Sequence, residues 1–162
     1  MASTSTNKQP LLVDRVFHNV IPTKGLASGS ATLLDISGTN SSVVLLSCTA
    51  NDGAIVESIY TISRGTKVYK VNLYLSTAID FLRPTEAVCI GQFSSANKVA
   101  DVSKWTGMPN ILVPTPSNAA TTIQQFQGLY IPKGQNLWVS LGEASAPTAD
   151  DTPIIGAQGG LY

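Results

Sequence analysis

Charge is scarce in this chain. Of 162 residues, 10 are Lys or Arg and 10 are Asp or Glu, so charged residues make up 12%, about half the usual ~25% share. The formal net charge is zero. That balance argues against the electrostatic footprint of a nucleic-acid binder, and equally against a polybasic protein held at a membrane surface. Lys67, Tyr69 and Lys70 form only a tiny basic-aromatic patch, better read as a solvated strand face. Histidine and cysteine are rarer still, with one His and two Cys. Structural zinc wants four Cys or His ligands in paired spacing, whereas His18, Cys48 and Cys89 each stand alone. Histidine is also the usual base near neutral pH. His18, flanked on its own alternation by Val16 and Val20, reads as a strand residue rather than a catalyst.

Other chemical signatures are missing as well. The stretch 25–29, Gly-Leu-Ala-Ser-Gly, has the wrong spacing for a nucleophile elbow. Gly25, Gly29 and Gly38 lack the spacing and the following Lys-Ser/Thr of a phosphate-cradling loop. The acidic residues are scattered, and Asp150-Asp151 lies in a Pro- and Thr-rich turn rather than in a calcium loop. The expectation is therefore a non-enzyme with no catalytic residue, no cofactor and no metal. No apolar run approaches the ~18 residues that would span a bilayer. Residues 1–10 hold no apolar core of a leader peptide, so synthesis in a reducing compartment is expected. Cys48 and Cys89, both in apolar strand patterns, are then expected to be buried free thiols.

Ser and Thr are what the chain has instead. They account for roughly a fifth of it, a composition that suits strands and turns. Residues 1–10 are polar, end at Pro10 and read as a flexible N-terminal arm. Residues 11–162 read as a single domain. Short strands are expected at 11–20, 31–35, 55–63, 87–93, 126–131, 137–141 and 154–162. The run 42–49 is continuously apolar and β-branched, as in a central strand covered on both faces. Asn51-Asp52-Gly53 and Pro132-Lys133-Gly134 read as hairpin turns. In the clear alternation at 68–75, Tyr69, Val71, Leu73 and Leu75 should face the core, leaving Val68, Lys70, Asn72 and Tyr74 half-exposed. Leu137, Val139 and Leu141 should point inward and Trp138 the other way.

Eight to nine short antiparallel strands with regular turn signals predict an all-β fold, a single β-sandwich of the jelly-roll or immunoglobulin-like kind. The one helix-like stretch, 97–105, is too short for the crossover a βαβ arrangement requires. The long excursion at 94–122, with a short strand expected at 111–113, exceeds the ~12–15 residues usual for a loop. It reads either as a lid over one end of the sandwich or as a contact surface for another subunit. Phe81, Tyr74, Trp105, Trp138 and Tyr162 are the candidate exposed aromatics, and an aromatic row can serve a sugar platform or a protein interface. Phe81, Trp105, Met108 and Trp138 are taken as candidate interface residues. A neutral, Ser/Thr-rich surface with a loose arm suits a subunit that lives in an assembly.

Several segments also resemble a known group. Residues 5–20 (Ser-Thr-Asn-Lys-Gln-Pro-Leu-Leu-Val-Asp-Arg-Val-Phe-His-Asn-Val), 52–66 (Asp-Gly-Ala-Ile-Val-Glu-Ser-Ile-Tyr-Thr-Ile-Ser-Arg-Gly-Thr), 71–78 and 129–139 are similar to small virion-associated proteins of tailed marine cyanophages. The resemblance implies a bacteriophage virion structural protein: a capsid decoration or knob subunit, or alternatively a tail or fibre accessory protein. It implies other virion proteins as partners, and the chain itself, with assembly in the bacterial host cytoplasm; from the charge balance and the lack of a spanning apolar run, no nucleic-acid or membrane partner is expected. It brings no site residues with it. A carbohydrate-binding module is the alternative from another class.

Overall fold

The structure, a computed structural model, describes residues 15–23, 42–80, 82–83, 85–95, 105–107, 128–142 and 152–162. The expected arm at 1–10, the strands expected at 31–35 and 111–113, most of the 94–122 excursion, Phe81 and Met108 lie outside the described residues. Among the described residues nine strands form two antiparallel sheets: β1 (Arg15–Pro22), β2 (Ser42–Ser47), β3 (Gly53–Ile62), β4 (Lys70–Ser76), β5 (Val88–Ser94), β6 (Trp105–Gly107), β7 (Leu129–Pro132), β8 (Asn136–Gly142) and β9 (Ile154–Leu161). No described residue is helical, and no helix among them is long and apolar enough to cross a membrane.

One sheet, sheet A, runs β1-β9-β3-β6, with β7 beside β6 on β3. The other, sheet B, runs β2-β8-β4-β5. Both orders follow from one nested pattern. The outermost strands pair first, β1 with β9, then β2 with β8, then β3 with β6 and β7, and finally β4 with β5. Successive pairs fall in alternate sheets, as in a long hairpin rolled upon itself. The pairings β9–β3 and β8–β4 complete the roll. This is the strand order of a double-sheet jelly roll, so the all-β sandwich expected from the sequence is correct.

The two expected hairpin turns are corners instead. Asn51-Asp52-Gly53 joins β2 of sheet B to β3 of sheet A, and Pro132-Lys133-Gly134 joins β7 of sheet A to β8 of sheet B. Gly53 and Gly134 sit at φ 143° and 81°, where a side chain is strained. The turn chemistry is thus as expected, but local residues cannot specify which sheet receives the following strand. The corners are tied to each other: the Cys48 N–H donates to the Gln135 carbonyl at 3.0 Å, and the Gly134 N–H to that of Cys48 at 2.9 Å.

The core fills the space between the sheets. Tyr69, Val71 and Leu73 meet Leu137, Val139 and Leu141 from sheet B, and Ala54, Val56, Ile59, Ile131, Ile155 and Ala157 from sheet A. The inward faces expected at 68–75 and 137–141 are therefore correct. The run 42–49 is not a central strand among the described residues, where β2 pairs with β8 alone and forms an edge. Its continuous apolarity has another cause. A register shift between Val44 and Leu46 turns the successive residues Leu45 and Leu46 both into the core, while Val44 packs on the opposite side.

Candidate functional site

The outward faces of the sheets differ sharply. On sheet B, Tyr74 lies opposite Trp138 across β4 and β8. Both were expected to be exposed, and both are buried, at 1% and 2% of full exposure. The cause is the connection from β4 to β5, which lays Leu82, Ala78 and Ala87 over the pair. Asn136 Nδ2 donates to the Ala78 carbonyl at 2.8 Å, and the Ala78 N–H donates to Ser76 Oγ at 3.1 Å, fixing the start of that cover. Backbone bonds from Glu86 and Ala87 to the Arg83 carbonyl, and an Arg83–Glu86 ion pair at 3.1 Å, shape its return. Beside the aromatic pair runs a polar row. Gln92 Nε2 donates to Asn72 Oδ1 at 2.6 Å, and Asn72 Nδ2 to Ser140 Oγ at 3.2 Å. Asn72 is buried with it, against the half-exposure expected from alternation alone. Burial pushes the Tyr74 phenol up in pKa.

Trp138 is accordingly a core residue of a second, smaller cluster and not an exposed interface anchor. Its indole N–H has no acceptor among the described residues. Trp105 begins β6, where it is opposite Ile62. Tyr162, at the far end of β9, is half-buried.

Among the described residues, no segment covers sheet A in this way. Its outward face carries Val16, His18 and Val20 on β1, Ile154 and Gln158 on β9, Ile55, Tyr60 and Ile62 on β3, and Tyr130 on β7. Val16 is 87% exposed and Tyr130 51%. Gly156 and Gly160 put no side chain on this face of β9, and the Tyr60 ring lies directly on Gly156, where a Cβ would collide with it. Tyr60 also hydrogen-bonds His18 Nε2 across the sheet. His18 is thus a strand residue, as expected, with its ring tilted against an aromatic neighbour. Glu57, at the register shift between Val56 and Ser58, is exposed beside this face.

Beside the face, β1 and β2 form the side on which the sandwich stays open. A groove of about 490 Å³ runs there between His18–Ile21 and Val44–Ser47. Asn19 Nδ2 reaches across it to the Leu45 carbonyl at 3.1 Å. A second, polar hollow of about 220 Å³ lies at the β2–β3 corner, lined by Arg15, Ala50, Asn51, Asp52, Leu161 and Tyr162. Its walls are pinned: the Asp52 N–H donates to the Tyr162 carbonyl at 2.8 Å, and the Tyr162 N–H to that of Gly53 at 3.0 Å. Arg15 Nη2 donates to Asn51 Oδ1 at 3.1 Å. Lys133 Nζ donates to Asp52 Oδ1 at 2.7 Å, which holds the Asp52 carboxyl below its ordinary range and the Lys133 ammonium above its own.

The cysteines divide. Cys48 is a free thiol with no exposure, and burial raises its pKa. Cys89 is free but exposed, so the expected second buried thiol is not found. A register shift between Leu73 and Tyr74 next to Cys89 breaks the alternation on which that expectation rested. Among the described residues no three His, Cys, Asp or Glu side chains gather in a way that would hold a metal ion. Compared with known proteins, the chain matches no family model, no curated protein and no solved structure.

Proposed function

We propose that this protein is a non-enzymatic structural subunit of a bacteriophage particle, a decoration or knob subunit that docks on the capsid shell. The observation that carries the reading is the asymmetry of the sandwich. One outward face is covered by the chain's own segment, while the other presents exposed Val16, Val20 and Tyr130, the valines on a strand whose outer side no described strand pairs. Exposed apolar area of this kind marks interaction surfaces in soluble proteins. The double-sheet jelly roll is also an architecture used in viral capsid domains, a likeness of fold class alone. The resemblance of segments 5–20, 52–66, 71–78 and 129–139 to cyanophage virion proteins points the same way. Assembly from components made in the host cytoplasm suits its free thiols.

Mass spectrometry of particles banded free of lysate tests this reading. The intact chain should be present in stoichiometric amount, and its absence from clean particles overturns the proposal. Cryo-EM of the same particles separates shell from tail, and density on a tail or fibre would replace the capsid assignment. A second reading rests on the polar corner hollow, where Arg15, Asn51 and Asp52 beside Tyr162 offer donors, acceptors and an aromatic ring of the kind that bind sugars. Lectin domains share the architecture. Specific glycan-array binding that is lost in Asn51→Ala would move a host-glycan module to first place.

A further inference from the structure

We propose that β1 is a homotypic docking strand, pairing antiparallel with β1 of a second copy of this chain to join two A sheets into one. An edge strand presents a row of unpaired N–H and C=O groups, and soluble proteins ordinarily blunt such edges by shortness, charge, proline or a bulge. The other edges here are blunted. On the far side of sheet A, β6 has three residues, and β7 has four and ends in Pro132. In sheet B, the pairing of β2 shifts register between Val44 and Leu46, and that of β5 shifts opposite Leu73 and Tyr74. In contrast, β1 runs eight residues in unbroken register with β9, carries no Lys, Arg, Asp or Glu between Val16 and Ile21, and places its proline only at the end. Among the described residues no strand pairs its outer side.

The pattern of β1 selects a second copy of itself as the occupant. Same edge against same edge requires a two-fold axis, hence antiparallel strands. Centred on His18, that axis sets Val16 opposite Val20 of the second copy and Val20 opposite its Val16. These are the exposed valines of the strand, so both would be covered by one operation. Because residues 16–21 include no Lys, Arg, Asp or Glu, the axis sets no such like charges against each other. The 490 Å³ groove along His18–Ile21 gives the incoming strand room beside the edge.

The inference is independent of where the protein acts, so a dimer found for a chain absent from virions would overturn the virion reading and leave this one standing. Sedimentation of the full chain across a dilution series should show a species of twice its 17.0 kDa. Val20→Lys should sediment as a monomer with an unchanged circular dichroism spectrum. Directly opposed residues in an antiparallel pair have Cα atoms roughly 4.5–5.5 Å apart, within the roughly 4.4–6.8 Å that a disulfide spans. His18→Cys in a Cys89→Ser background should therefore give a covalent dimer on mild oxidation, and adding Val20→Lys should abolish it. A wild-type chain that stays monomeric at every concentration would overturn the proposal. So would a Val20→Lys dimer of undiminished strength, or a dimer in which the His18→Cys variant fails to cross-link.

Discussion

Sheet B and sheet A both carry aromatic and aliphatic residues on their outer faces, yet one face is core and the other is surface. Tyr74 and Trp138 on sheet B are covered because the β4–β5 connection brings Leu82 over them and Asn136 and Ser76 tie its start down. On sheet A the equivalent middle strand, β9, offers Gly156 and Gly160 instead of side chains, and the Tyr60 ring, hydrogen-bonded to His18, lies over Gly156. An outward-pointing aromatic is therefore no guide to exposure by itself. What decides is whether a connection long enough to return over the face carries an apolar residue at the right place.

The comparison is most easily broken at Trp138. Its truncation to alanine removes the largest fully buried side chain and opens a cavity beneath Leu82, so Trp138→Ala should destabilise the fold by about 3–5 kcal/mol in chemical denaturation. A loss below ~0.5 kcal/mol would mean that the face is open. Next in size is the contact between Tyr60 and Gly156 on sheet A. Gly156→Ala forces a methyl group into the Tyr60 ring, with an expected cost of about 1–3 kcal/mol in the same assay. The double change with Tyr60→Ala should recover most of it. Val20→Lys, on the outer face of β1, should alter the stability of the isolated subunit by no more than ~0.5 kcal/mol.

The smallest effect belongs to the corner pair. Asp52 is held below its ordinary pKa by Lys133, so its contribution to stability is present above the unfolded Asp value and disappears as pH falls through the lower folded one. Lys133 is held above its own, so its contribution is present below the unfolded Lys value and is lost as pH rises through the higher folded one. Both side chains are solvent-exposed, which keeps the effect slight. Asp52→Asn should lower the neutral plateau of a melting-temperature profile slightly and flatten its acidic limb, meeting the wild-type curve at low pH. An unchanged acidic limb would show that the pair does not form in solution.

Much of the fold was legible before any coordinates. Period-two alternation at 68–75 and 137–141 identified the inward residues correctly, since burial between two sheets enforces that period. Gly53 and Gly134 marked true turns because few residues tolerate positive φ. Pairing was not legible: an Asp-Gly corner looks the same whether the chain returns beside itself or crosses to the other sheet. Nor was β2 as an edge, because a bulge mimics the composition of a doubly covered strand. Trp138 and Cys89 were misassigned for related reasons, one by a covering segment remote in sequence and the other by a register shift. The candidate surface on β1 was visible only as the Val16-His18-Val20 alternation. Its exposure depends on which strands neighbour it, and that is set by the rolled topology rather than by the strand itself.

Hydroxyl-radical footprinting of the wild-type chain, read by mass spectrometry across a dilution series, tests the contrast between the two faces most directly. Trp138, Tyr74 and Leu82 should stay protected at every concentration, Tyr130 should be labelled throughout, and Val16 and Val20 should be labelled when dilute and protected when concentrated. Labelling of Trp138 at the rate of Tyr130, or labelling of Val16 and Val20 that ignores concentration, would contradict the account.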